Sequence, residues 1–165
     1  MIGIMARSLP APKHVKDLLE DLLGRTINVA PTDPLRAAEM HQSLVAVYVD
    51  DGLKLAAVCG LSFDLTVYAA AALGLIPPGG ARDFIKEHEI SPLLAENATE
   101  ICNILGSLLN HEGLPHIRLY QTFFPDGPAP PNDAASRLLA LGQRLDLIVT
   151  VVGYGAGKLS LSLAF

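Results

Sequence analysis

The chain has 165 residues, of which 50% are hydrophobic and 18% charged, with a net charge of −5. A length of this order suits one domain that buries about 70% of its unfolded surface, and a single domain over residues 1–165 is expected. Twelve scattered Lys and Arg in an acidic chain exclude a nucleic-acid binder, whose phosphate contacts demand clustered cations.

Charged residues fall below the usual share of about a quarter, and the apolar excess predicts that a second copy covers part of the surface, giving a homodimer. A membrane span is not expected: the longest uncharged run, Leu65 to Ala81, is broken by Pro77, Pro78, Gly79 and Gly80, so its apolar part is shorter than the roughly 20 residues a bilayer needs. The opening "MIGIMARSLP" has no basic stretch before its few apolar residues, unlike a secretory leader, and a cytoplasmic protein is expected. Cys59 and Cys102 lack zinc-type spacing and read as two buried thiols.

In chain order, "PKHVKDLLEDLLG" is an amphipathic helix: Pro12 suits a first turn, Val15, Leu18, Leu19, Leu22 and Leu23 share a face, and Gly24 closes it. "TINVAP" and "SLVAVYV" are strands, the second apolar enough to be buried on both sides. "DDG" at 50–52 signals a hairpin into "LKLAAVCGLS". The Ala-rich "FDLTVYAAAALGL" is a second helix capped by Ser62 or Asp64. An "IPPGG" turn and a short helical piece, "ARDFIKEHEI", lead to Ser91 and Pro92, which start a long helix expected to run to about Gly113. "HIRLYQTFF" is a strand, "PDGPAPPND" an exposed Pro-rich loop, and "LDLIVTVV" and "KLSLSLAF" two closing strands joined by a Gly-rich hairpin. The expected fold is an α/β (α+β) sandwich, a mostly antiparallel sheet covered by helices.

Two motif-like stretches fail on inspection. Gly157-Lys158 mimics the end of a phosphate-binding loop, but no Gly lies five residues before Gly157, Leu159 replaces Ser or Thr, and a strand follows where a helix must start. "HEGLPH" places Gly113 and Pro115 between His111 and His116, so the two imidazoles cannot share a helical face as in an HExxH zinc site.

The long helix carries a polar pair, Glu100 and Asn103, one turn apart. At about 100° per residue, Leu94, Ala98, Ile101, Cys102, Ile104, Leu105, Leu108 and Leu109 fall on one half of its circumference and must face the core. Glu96, Thr99, Glu100, Asn103, Gly106, Ser107, Asn110 and His111 fill the other half, with Glu100 and Asn103 about 60° apart. A polar outer half is what any solvated helix shows. This one, however, carries no Lys or Arg, and Gly106 and Ser107 keep it low, so another protein could approach closely.

This element order, with "EICNILGSLLN" in the long helix and "GKLSLSLAF" at the end, resembles the CheC/CheX family of chemotaxis phosphatases from about Val15 to Phe165. That family carries Glu-x-x-Asn on a helix, and Glu100, Ile101, Asn103 and Ile104 stand at the matching places. The resemblance implies a phosphatase that docks on a phosphorylated CheY-like receiver domain and hydrolyses its aspartyl phosphate, in chemotaxis or related two-component signalling. Asn103 would hold the attacking water, and Glu100 would pair with the receiver's active-site Lys. Glu96, Thr99, Gly106, Ser107 and Asn110 are the expected partner-binding residues around that catalytic pair. No cofactor of its own is expected; any Mg2+ would come with the receiver. The first helix reads Glu20-Asp21-Leu22-Leu23, without an Asn, so the second site of the CheC branch is absent and the chain is more similar to the single-site, homodimeric CheX branch. A non-catalytic module that binds a receiver or itself, and a dimer whose polar helix face is merely solvated, are the competing readings.

Overall fold

The computed structural model describes residues 7–164; the opening residues Met1 to Ala6, and Phe165 at the end of the last expected strand, lie outside them. Helix α1 spans Pro12–Leu23 and stops at Gly24, whose φ of 64° lets its N–H turn back to the carbonyl of Glu20, a left-handed closure that suits glycine. Its buried Val15, Leu19 and Leu23 face the sheet.

The strands are β1 (Ile27–Pro31), β2 (Leu44–Asp50), β3 (Leu55–Leu61), β4 (Ile117–Phe123), β5 (Arg144–Val151) and β6 (Gly155–Leu163). They form one sheet in the order β1-β5-β6-β3-β2-β4, and every adjacent pair is antiparallel. The remaining elements are α2 (Ala37–Met40), α3 (Phe63–Leu73), α4 (Pro78–Glu87), α5 (Pro92–Leu105), a 3-10 turn (Gly106–Leu109) and α6 (Asn132–Leu139).

Period-two alternation divides the sheet into two faces. One carries Ile27, Ala46, Tyr48, Cys59, Leu147, Val149, Leu159 and Leu161 and packs on α1, α3 and α5 to make the main core. The other carries Val45, Val47, Val49 and Val58, and is covered by Ala134 and Leu138 of α6. The Ser residues of "LSLSL" point to this second face and are nonetheless buried: Ser160 is 0% exposed, and its hydroxyl accepts a hydrogen bond from the Leu35 N–H at 3.2 Å. Arg144 anchors α6 there. Its guanidinium grips both carboxylate oxygens of Asp146 at 2.8 and 2.9 Å and donates to the carbonyls of Leu138 and Ala140 at the helix end.

The expected antiparallel sheet, helices α1, α3 and α5 and their caps are present, and four details differ. The "IPPGG" segment is not all turn: α4 already begins at Pro78, because proline is tolerated in a first helical turn. Helix α2 lies in a stretch for which no element was expected, and α6 starts inside the expected Pro-rich loop behind Pro131 and runs on through Leu139. The long helix tightens at Gly106 and ends at Leu109 rather than near Gly113.

Candidate functional site on helix α5

Helix α5 opens on Ser91, whose hydroxyl accepts from the Leu94 N–H at 3.2 Å, and on Pro92 behind it. Leu94, Ala98, Ile101, Cys102 and Leu105 are buried, so the apolar stripe read from the sequence faces the core. Three polar contacts then fix the helix azimuth. Asn97 donates to the Ala70 carbonyl of α3 at 3.1 Å, the hydroxyls of Thr99 and Thr122 meet at 2.9 Å, and the Tyr48 hydroxyl donates to the Cys102 carbonyl at 2.5 Å. Of these anchors, Tyr48 and Thr122 carry no sequence signal, because the contacts join residues far apart in the chain.

Held this way, α5 presents Glu96, Glu100 and Asn103 as exposed, with Ser107 exposed in the 3-10 turn that follows. Glu100 and Asn103 lie about 4.5 Å apart along the axis, and among the described residues no side chain bonds to either. A carboxylate and an amide, both solvated and both without internal partners, can accept and donate bonds to a docked molecule. The expected partner-binding residues divide. Glu96 and Ser107 flank the pair, whereas Thr99 is half-buried against Thr122. Asn110 is used internally, accepting the Ile117 N–H at 2.9 Å and donating to the Ile117 carbonyl at 3.0 Å. Gly106, expected on the outer half, is buried: it lies on Tyr48, and a Cβ there would stand 2.8 Å from the ring. The reason is that Tyr48 rises from β2 into the helix underside, a long-range contact that a helical wheel does not contain.

The segment before α1 secures the far end. Arg7, 5% exposed, donates to the carbonyls of Leu109 and Pro115, placing a cation at the end of the helical segment, where it complements the helix dipole. His111 shares a hydrogen bond with the Ser8 carbonyl at 3.1 Å.

Other chemistry recedes. Burial pushes the Cys59 thiol up to about 12 and raises that of Cys102 further from the thiolate range, so neither is a nucleophile. Lys158 is not a phosphate ligand in a loop. It lies within β6, its ammonium 3.3 Å from Glu39 and its N–H donated to Ser62. Among the described residues no three His, Cys, Asp or Glu converge to hold a metal ion, and no helix is long and apolar enough to cross a membrane.

No protein-family model matches the chain, and no curated protein matches it. Solved structures do. Similar to it are FliY from Thermotoga maritima (16% identity, TM-score 0.55, covering 89% of this chain and 80% of that one), and a CheX–CheY–BeF3–Mg2+ complex from Borrelia burgdorferi (11%, 0.55, 90% and 92%). The FliM middle domain from Helicobacter pylori is a third (8%, 0.50, 92% and 83%). At such identities the likeness is one of fold, over nine-tenths of the chain. The antiparallel sheet backed by α1, α3 and α5 is thus the CheC/CheX-like fold, shared with FliY and the FliM middle domain.

Proposed function

We propose that this chain is a phosphatase for the aspartyl phosphate of a CheY-like receiver domain, acting through Glu100 and Asn103. The observation that carries the reading is the pair itself: a carboxylate and an amide one turn apart, exposed, unpartnered, on a helix face without a cation, in the fold of a protein solved together with CheY. Hydrolysis of an acyl phosphate asks mainly for position and electrostatics. The oxygen of one water attacks phosphorus, the bond from phosphorus to the aspartyl oxygen breaks, and carboxylate, inorganic phosphate and one proton leave. Asn103, by accepting from that water and donating to a phosphoryl oxygen, would hold it in line. Glu100 would pair with a Lys at the receiver's active site, fixing register and drawing the ammonium away from the phosphoryl group. Any Mg2+ would be the receiver's, and we assign the chain a homodimeric state.

A second reading keeps the docking and drops the catalysis. The fold is equally that of the FliM middle domain, and an exposed Glu100 and Asn103 suffice for recognition alone. The test is the decay of phosphorylated CheY-like receivers with and without the chain. Faster decay supports the phosphatase; receiver binding with unchanged decay supports the interaction module and overturns the first reading.

A further inference from the structure

Two turns toward the N-terminus of α5 from Asn103, a cleft of about 370 Å3 opens between Phe63 of α3, Ala95 of α5, the 88–90 segment and the 124–126 segment. Ala95 lies about 12 Å along the axis from Asn103, within the footprint of any protein seated on the helix. The walls are Phe63, Ile90, Phe124 and Pro125; the polar groups are His88, Glu89 and Asp126. His88 is committed to the wall, its ring 4.3 Å from that of Phe63. Glu89 and Asp126 are exposed and have no ion-pair or hydrogen-bond partner for their side chains among the described residues, and no Lys or Arg lines the cleft. A cleft lined by Phe63, Ile90, Phe124 and Pro125 together with two unpaired carboxylates suits a long cation whose methylene stem packs on aromatic and aliphatic walls while its head meets the acids.

We infer that this cleft is a specificity pocket for a Lys or Arg of the protein that docks on α5. The inference rests on α5 being a docking helix, and it adds a second anchor point, separate from Glu100 and Asn103, that selects among partners. An acidic side chain is repelled by both carboxylates. A neutral one leaves them partly desolvated without compensation. Phe124 adds an aromatic face for the cation. The Pro-rich stretch acquires a purpose as well, since Pro125 and Asp126 at its start form one wall, and Asp126 holds a left-handed φ of 65° there.

The test uses the full chain, isotopically labelled and titrated by NMR with the blocked amino acids N-acetyl-arginine and N-acetyl-lysine methylamide, and with their glutamine and glutamate counterparts. The pocket predicts saturable shifts at Phe63, Ile90, Ala95 and Phe124 from the two cations, attenuated near 0.5 M salt, and about tenfold weaker affinity in Glu89→Gln/Asp126→Asn, as expected for two lost charge contacts in a partly desolvated groove. Both positions are exposed, so an unchanged spectrum elsewhere confirms that the variant folds. Absent or non-saturating shifts, equal shifts from the glutamine compound, or no response to the double substitution overturn the pocket. None of these outcomes depends on phosphatase activity. If instead Glu100→Ala and Asn103→Ala leave receiver decay untouched while the titration succeeds, it is the catalytic reading that fails.

Discussion

The ring of Tyr48 lies directly beneath Gly106, and its hydroxyl donates to the carbonyl of Cys102 one turn earlier. A buried residue of β2 thereby sets the height of the helix that displays Glu100 and Asn103. Gly106→Ala would drive a methyl group into a ring that cannot retreat, because Tyr48 is 1% exposed and tethered by its hydroxyl. The backbone at Gly106 is helical, so alanine propensity favours the change by up to about 1 kcal/mol. Overpacking costs about 1–3 kcal/mol and prevails. Urea unfolding should show a net loss, whereas Gly79→Ala in α4, where a Cβ meets nothing closer than 3.9 Å, should be neutral or slightly stabilising.

The Arg144–Asp146 pair, with side chains only 8% and 9% exposed, is the polar joint of the second face. Arg144→Met strands a buried carboxylate and releases the carbonyls of Leu138 and Ala140, for a loss of about 3–5 kcal/mol. Arg144→Met/Asp146→Leu should recover much of it, since the stranded charge is gone. Denaturant midpoints of the two variants report the difference.

Alkaline pH should weaken the fold. The Cys59 thiol has an ordinary value of 9.0 and is pushed up to about 12 by burial. Below about pH 9 both folded and unfolded chains keep the proton, and the stabilisation is fully present. Between about 9 and 12 only the unfolded chain releases it, so stability falls as pH rises. Cys102 and Tyr48, also raised by burial, act in the same direction. Urea midpoints near pH 8 and pH 10 should differ, and Cys59→Ala should shrink that difference.

The proposed homodimer rests on the apolar composition of the chain, since the exposed Leu75 and Leu141 are single side chains and not one patch. Light scattering at micromolar concentration should return twice the 17.5 kDa chain mass; the mass of one chain would contradict the assignment.

How far the sequence led depended on the range of the interaction. Gly24, Ser62 and Ser91 mark helix ends through bonds to residues a few positions away, and Pro12 and Pro92 through a backbone φ already fixed for a first turn, so α1, α3 and the start of α5 were legible. The buried β2 and the alternating β6 were legible from composition and period. Helix α6 was hidden because "NDAASRLL" is only eight residues long and is helical by virtue of covering Val45 and Val47 and being held by Arg144. The end of the helical segment was misplaced because its contacts there are long-range, Arg7 donating to the Leu109 carbonyl and Asn110 pairing with Ile117 of β4. At the site, Glu100, Asn103, Glu96 and Ser107 follow helical period alone. Gly106 and Asn110 do not, since β2 and β4 claim them.

The central claim is tested most directly by following receiver dephosphorylation at saturating concentrations of this chain, comparing the parent with Asn103→Ala. The side chain is exposed and unpartnered, so the substitution should alter stability by no more than about 0.5 kcal/mol. If Asn103 positions the attacking water, the saturated rate should fall about a hundredfold while receiver binding changes little. Unchanged decay in the parent, or an acceleration that survives Asn103→Ala, would contradict the account.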